Sequence, residues 1–155
     1  MRKSNKKYKM KRQPDLRLGK ASTEEIVKKT VERLDPEGDW EEVYDAVYSA
    51  LQTNQFRMLR SGDTLAFYHV NTPIADEAHL FTIEKQEDLM ESLRDLGQAF
   101  KIAGFKKIKG TTEFPSILRI LRKANTINFV VRDKALRAYG ESGPIIGYEF
   151  EIEVK

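Results

Sequence analysis

The chain has 155 residues, of which 40% are hydrophobic and 33% charged, and this composition fits one soluble globular domain with one core. It contains no cysteine, which excludes disulfides, thiolate metal sites and cysteine nucleophiles. Its two histidines, His69 and His79, are too few for a histidine-based zinc site unless carboxylates complete it, so the sequence predicts no metal site. No apolar run approaches the roughly 20 residues that span a bilayer, and no apolar segment follows the charged N-terminus as in a secretory signal.

The net charge of +3 conceals a strongly basic first segment. Residues 1–20 hold nine Lys or Arg against one acid, Asp15, hence +8, whereas the rest holds 18 basic against 23 acidic residues, hence −5. Two interpretations stay open: an arm that contacts a polyanion or an acidic partner, or a solvated terminus. The sequence predicts a flexible basic tail over 1–20 and one domain over 21–155. The candidate polyanion-binding residues are Lys3, Lys6, Lys7, Lys9, Lys11 and Arg12.

Two helices are predicted first in chain order. Ser22 and Glu25 have the spacing of a capping box and predict a helix over 22–35. Asp39 is the predicted cap of a second helix, in which large apolar residues recur at helical spacing from Trp40 to Leu51.

From Gln55 the hydrophobic period changes to two. The alternation predicts a hairpin over 55–70 around the turn "SGD", then a loop at "NTPIADE" (71–77) and a third strand over 78–84. Helical spacing returns after Lys85, and Gly104 suits the C-terminal end of that long helix.

The C-terminal third is predicted to hold a strand over 105–112, a short helix opened by Pro115, and strands over 127–133 and 145–155. The inward-facing residues of the short helix are Ile117, Leu118, Leu121 and Ala124. With a further first strand around "DLRLGK" (15–20) set aside, the element order is α-α-β-β-β-α-β-α-β-β.

This order resembles the GCN5-related N-acetyltransferase (GNAT) fold over 16–155. The stretch "PSILRILRKANTINF" is similar to the family's C-terminal signature, x-R-L-Y-x-K-x-G-F, with Arg119 and Lys123 at its basic positions. The resemblance implies an α+β (α/β) fold: a central, mostly antiparallel, twisted sheet of about six to seven strands flanked by about four helices.

The family grips the pyrophosphate of acetyl-CoA at the start of its long helix. A glycine-rich turn, Q/R-x-x-G-x-G/A, points backbone N–H groups at the phosphates. The corresponding segment here, "TIEKQEDLME" (82–91), has no glycine and carries four carboxylates that repel a diphosphate. Carried over residue by residue, the candidate cofactor-binding positions are Ile83, Lys85, Gln86, Glu87, Asp88 and Leu89.

The resemblance also locates the catalytic acid. Many members use the tyrosine of the signature to protonate the departing thiolate, and the alignment places Leu121 there, which has no proton to donate. The glycine of the signature becomes Asn125. Glu84 and His79 are the candidates for a general base that deprotonates an amine.

These departures predict a GNAT-fold protein that has lost acetyl transfer, needs no cofactor, and serves as a structural or interaction protein. Small GNAT-like proteins of this kind occur in tailed bacteriophages, and "SILRILRK" is similar to a helix of an internal virion protein of short-tailed phages. That likeness implies a protein partner, non-specific DNA contact through the tail, and a location in the host cytoplasm or a virion. The alternative is an active acetyl-CoA-dependent N-acetyltransferase with an atypical pyrophosphate loop. A nucleic-acid-binding module is disfavoured because residues 21–155 are net acidic.

Overall fold

Four helices and six strands make up the part of the chain that the computed structural model describes, which is residues 16–112, 115–124, 128–140 and 143–155. The helices are α1 (Thr23–Leu34), α2 (Trp40–Leu51), α3 (Gln86–Ile102) and α4 (Pro115–Lys123). The strands are β1 (Phe56–Ser61), β2 (Thr64–Asn71), β3 (Ile74–Thr82), β4 (Lys107–Thr112), β5 (Asn128–Gly140) and β6 (Gly143–Glu153). The predicted element order is confirmed.

The helix boundaries follow the local capping signals. The Ser22 side chain accepts a hydrogen bond from the Glu25 N–H at 3.0 Å, and Asp39 accepts one from the Glu42 N–H at 3.1 Å. Gly104, just past α3, has a φ of 93°, a left-handed conformation that glycine adopts without steric cost.

The sheet has the order β1-β2-β3-β4-β6-β5, in which only β3 and β4 pair in parallel. Successive residues of a strand face opposite sides of a sheet. Leu65 accordingly packs with Ile26 and Val27 of α1, whereas Ala66 joins the larger core formed with α3 and α4. The helices therefore cover both faces.

Three predictions differ clearly from the structure. The third strand begins at Ile74, so the loop predicted over 71–77 is wrong: pairing with β2 on one side and β4 on the other outweighs the proline and acidic signals there. Strand β5 extends to Gly140, seven residues beyond its predicted end. Residues 16–20 form no strand.

Residues 16–20, which the predicted tail included, contact the domain. The Gly62 N–H donates to the Arg17 carbonyl at 2.9 Å, and the Lys20 N–H donates to the Asp63 carboxylate at 2.8 Å. The six candidate polyanion-binding residues of the tail lie outside the described residues. Within the described ranges, no helix has the length and apolarity that a membrane crossing requires.

Candidate functional site

The two parallel strands at the centre of the sheet diverge halfway along their length. Strands β3 and β4 pair from Ile74 and Lys107 up to Ala78 and Gly110, whereas β3 continues to Thr82 and β4 to Thr112. Pairing is broken by a register shift between Ala75 and Ala78. The result is a V-shaped gap between the carboxyl ends of the two strands, covered by α3 and α4.

On the face covered by α3 and α4, apolar side chains fill this gap. Its cavity measures about 40 Å³ and is bordered by Leu80, Leu93, Leu121 and Phe150, among others. A water molecule takes about 30 Å³ of the liquid, so the cavity is about large enough for one. A β-carbon added to Gly110 would lie 2.3 Å from the Ala78 carbonyl oxygen and 2.8 Å from the Phe150 ring, which shows how closely the strand is packed.

Leu121 is among the side chains that close the gap. It is buried on α4, as are Ile117, Leu118 and Ala124, so the predicted inward face of this helix is confirmed. The side chain at the signature's tyrosine position therefore contributes to packing and has no acidic hydroxyl that could protonate a thiolate.

A second cavity, of about 570 Å³, opens beside the first turn of α3. It is bordered by α1, the end of β3, the start of α3 and one face of α4. We call it the α3 cleft, and its basic residues are Arg33, Lys85, Arg119 and Lys123. Arg119 and Lys123, which the signature singled out, are separated by one helical turn and both lie in the α3 cleft.

The first turn of α3 has the unsatisfied amides typical of a helix start. The N-cap residue Lys85 makes no side-chain capping hydrogen bond, and Gln86 has a φ of 51°, a conformation that non-glycine residues seldom adopt. Free N–H groups at a helix N-terminus attract anions, whereas the acidic side chains of the same turn, Glu87 and Asp88, oppose a phosphate.

The four carboxylates of the segment do not crowd the cleft as the sequence predicted. Only Glu84 and Glu87 line it, whereas Asp88 and Glu91 do not. Glu91 lies beside Arg17, with an N–O distance of 3.9 Å. The expectation failed because a helix distributes consecutive side chains around its axis, so their density along the sequence overstates their density at one surface.

Glu84, a candidate base, is bound by donors of its own chain. Its carboxylate accepts hydrogen bonds from the Asp63 N–H at 3.1 Å, the Thr64 hydroxyl at 2.7 Å and the Ser92 hydroxyl at 2.6 Å. The Arg17 guanidinium lies 3.5 Å away, and the Glu84 side chain is only 11% exposed. Such a carboxylate is held in place as a structural acceptor.

The same polar network extends to α3 and to the N-terminal segment. The Arg17 guanidinium donates to the Asp88 carbonyl at 2.9 Å and to the Ser92 hydroxyl, and its Nε lies 3.5 Å from Asp95. Ser61 donates to the same Asp95 carboxylate at 2.8 Å. We call Arg17, Ser61, Thr64, Glu84, Ser92 and Asp95 the Glu84 network.

His79, the other candidate base, is exposed on β3 next to the point of divergence. It borders three cavities, namely the small one in the gap, one of about 910 Å³ under α2 and one of about 370 Å³ beside β4. The His79 imidazole is therefore exposed, whereas the Glu84 carboxylate, which lines the α3 cleft, has its oxygens already bound by donors of the chain.

One basic residue of the α3 cleft was missed by the sequence reasoning. Arg33 lies in the last turn of α1 and donates to the Thr82 carbonyl at 3.1 Å. Its place depends on how α1 packs against β3, about 50 residues away along the chain. No spacing within α1 distinguishes it from the other charged residues of that helix.

Comparison with known proteins finds matches in structure alone. No protein-family model and no curated protein matches the chain. A GNAT-family acetyltransferase described as putative, from Desulfovibrio desulfuricans, aligns at a TM-score of 0.56 and 13% identity, covering 90% of this chain and 97% of that one. A spermidine N-acetyltransferase SpeG chimera from Vibrio cholerae and hSSAT aligns at a TM-score of 0.56 and 10% identity, covering 88% and 94%.

A third solved structure contains the cofactor. The acetyltransferase yncA of Salmonella typhimurium, described as putative and solved with acetyl-CoA, aligns at a TM-score of 0.52 and 13% identity, covering 87% of this chain and 91% of that one. Identities this low establish the fold and leave the activity open. The chain therefore has the GCN5-related N-acetyltransferase fold, as its element order predicted.

Proposed function

We propose that this GNAT-fold protein does not transfer acetyl groups and acts as a structural or interaction protein. The observation that carries this proposal is the filled gap between β3 and β4. On the face of the sheet that α3 and α4 cover, the cavity bordered by Leu121 and Phe150 measures about 40 Å³, which is too small for the acyl-bearing arm of a thioester donor.

The lack of a suitable general acid and general base supports the same conclusion. Transfer of an acetyl group from a thioester to an amine requires a base for the amine and favours an acid for the departing thiolate. Leu121 supplies no acid, and the Glu84 carboxylate is already an acceptor for three donors of its own chain. Of the two candidate bases, His79 is the one that stays exposed, and the part of the gap that it borders beneath α3 is the 40 Å³ apolar cavity.

A second function is favoured by the α3 cleft. Four basic side chains, two acidic ones (Glu84 and Glu87) and the uncapped first turn of α3 surround about 570 Å³, and the excess of positive charge suits a ligand bearing phosphates. In an active N-acetyltransferase the cleft would hold the diphosphate of acetyl-CoA. The Phe150 side chain would have to leave the gap to admit the thioester.

Calorimetry and a thiol-release assay with acetyl-CoA and a panel of primary amines separate these functions. Under the proposal, no free thiol appears in the presence of protein, whether or not acetyl-CoA binds in the α3 cleft. Amine-dependent thiol release at acetyl-CoA concentrations below about 1 mM, the upper end of usual KM values, overturns it.

Matched variants show whether any binding uses the cleft. Arg119→Ala and Lys123→Ala remove cations that line it, whereas Arg122→Ala removes one from an exposed position on the same helix that does not line it. Binding lost in the first two variants and kept in the third, without thiol release, identifies a non-catalytic anion site.

The partner of such a protein is a separate part of the proposal. The basic residues Lys3 to Arg12 supply a charge that suits DNA or an acidic protein surface, and contact of this kind weakens steeply as salt rises. A virion setting stays a prediction from one short helix. A low-salt mobility-shift assay tests the tail directly: DNA retention that survives deletion of residues 1–15 contradicts a tail contact.

A further inference from the structure

Three potential metal ligands converge where β2 ends and β3 begins. The ligand atoms of His69, Asp76 and Glu77 all lie within 4.8 Å of one another. The Nδ1 atom of His69 is 2.9 Å from a carboxylate oxygen of Asp76. We call these three residues the His69 cluster, and it lies outside both the α3 cleft and the Glu84 network.

The backbone explains why two consecutive acidic residues serve the same cluster. His69 and Asp76 are Cα partners across the antiparallel pair, just past a register shift between Phe67 and His69. In a regular strand, Glu77 would point to the face opposite Asp76. Its φ of 50° and the shift between Ala75 and Ala78 in the β3–β4 pairing break that alternation, so that both carboxylates reach the imidazole.

We propose that the His69 cluster binds a divalent cation of the zinc class. One imidazole nitrogen and two carboxylate oxygens form a mixed donor set, and two carboxylates match the charge of the ion when the imidazole is neutral. The imidazole favours zinc, copper or nickel over magnesium and calcium, which prefer oxygen donors alone.

The ligand atoms, which lie within 4.8 Å of one another, have to move closer together to hold such an ion. Ligands at about 2.0–2.1 Å from a tetrahedral zinc lie roughly 3.3 Å from one another. The 2.9 Å separation of His69 and Asp76 is a hydrogen bond that the ion replaces, and the single N–H proton of the neutral imidazole then resides on Nε2. The His69 ring is held by an edge-to-face contact with Phe56, with ring centroids 5.0 Å apart, so its orientation is already limited.

The surroundings leave positions open for water or a further ligand. Glu77 borders both the 910 Å³ and the 370 Å³ cavities. The other carboxylates lining these cavities are Asp35, Asp39, Glu42, Glu149 and Glu151; the only lysine among the described residues of the two linings is Lys109, and Lys107 forms an ion pair with Glu151 at 3.4 Å. The local balance of charge therefore favours a cation. This site is independent of whether the gap between β3 and β4 admits acetyl-CoA.

The presence of only two histidines allows a direct test by NMR. Titration of the full chain with zinc chloride is expected to shift the imidazole resonances of His69 in a saturable way at one equivalent and to leave those of His79 in place. Magnesium chloride is expected to do neither. Equal response of both histidines, or none up to about 1 mM zinc, a concentration at which even millimolar affinity is visible, overturns the proposal.

Variants test the two carboxylates. Asp76→Asn and Glu77→Gln each keep a polar group of the same shape and are expected to weaken zinc binding at least about tenfold, since even the loss of an outer partner costs 10–100-fold. Glu41→Gln, at an exposed position outside both cavities, is the control and is expected to bind as wild type. Wild-type affinity in either cluster variant contradicts the assignment.

Discussion

The β2–β3 pair carries a polar cluster at each end, and the two clusters differ in what satisfies them. At one end, beside the Thr64–Thr82 pair, the oxygens of Glu84 are occupied by hydroxyls and an amide of the chain itself. At the other end, beside the His69–Asp76 pair, the Asp76 carboxylate is hydrogen-bonded to the imidazole, whereas the nearby Glu77 carboxylate opens onto cavities. Carboxylates of the same chemistry therefore have different roles: saturation by internal donors makes one structural, and its absence leaves the other available to a ligand.

Replacing Glu84 is expected to disrupt the Glu84 network and to have the largest effect on the free energy of unfolding. Glu84→Ala leaves buried hydroxyl and amide donors and the Arg17 guanidinium without their acceptor, so the free energy of unfolding is expected to fall by about 3 kcal/mol. Denaturant unfolding measures this. Glu87→Ala, at an exposed position in the next turn, is the control and is expected to change stability by less than about 1 kcal/mol.

Two truncations are expected to locate the start of the folded domain. Deletion of residues 1–20 removes the Arg17 and Lys20 hydrogen bonds and is expected to lower the free energy of unfolding by about 2 kcal/mol. Deletion of residues 1–15 leaves all these contacts in place and is expected to change the melting temperature little. Equal stability of the two truncated chains would contradict the contribution of residues 16–20.

Asp63, which lies beside Thr64 and hydrogen-bonds to Glu84, is expected to make the stability of the fold depend on pH. Burial opposes ionisation of Asp63, but the amides of Ala21 and Lys20 and the Arg60 guanidinium together hold the pKa of its carboxyl below the usual 3.8. A lowered folded pKa stabilises the folded state at pH values above the unfolded pKa, and this contribution is lost as pH falls through the folded value.

The matching variant makes that loss measurable. Asp63→Asn is expected to be less stable than wild type by about 1 kcal/mol at pH 7, and the difference is expected to shrink as the pH falls below 3.8 through the lowered folded pKa. Unfolding curves of the two proteins between pH 2 and 7 check this. A difference that is constant across the range would mean that the charge of Asp63 has no part in it.

Glu77 is expected to show the smallest effect, with the opposite sign. Because its φ of 50° is strained for any residue with a β-carbon, Glu77→Gly is expected to raise the free energy of unfolding by a few tenths to about 1 kcal/mol. The same variant is expected to lose zinc binding. If the Glu77→Gly protein is more stable than wild type but no longer binds zinc, then Glu77 acts as a ligand and is not needed for the fold. A stabilised variant with full zinc affinity contradicts that role.

Much of the fold was predictable because its signals are local. The hydroxyl of Ser22 and the carboxylate of Asp39 lie within three residues of the amides that they cap, and the apolar face of α4 repeats within one short helix. Each pattern describes an interaction that the chain makes with its immediate neighbours. The start of β3 was the exception, because its partners in β2 and β4 outweighed the turn signals of its own sequence.

The candidate sites were less predictable because they depend on distances across the fold. Arg33 reaches the α3 cleft from a helix far away along the chain, and Asp88 and Glu91 turn away from the cleft although they belong to the same segment. The sequence did not indicate Arg33, and it placed Asp88 and Glu91 in the cleft wrongly, because a helix puts residues that are neighbours along the chain on different faces.

By itself, the sequence determined the element order, the GNAT fold and the presence of leucine where the family signature has tyrosine, because periodicity, capping and residue identity are properties of the chain alone. Only the tertiary structure decided that Phe150 and Leu121 close the gap between β3 and β4, that Glu84 is occupied, and that His69 meets two carboxylates. These outcomes depend on strand register and packing, which bring together groups that are separate along the chain.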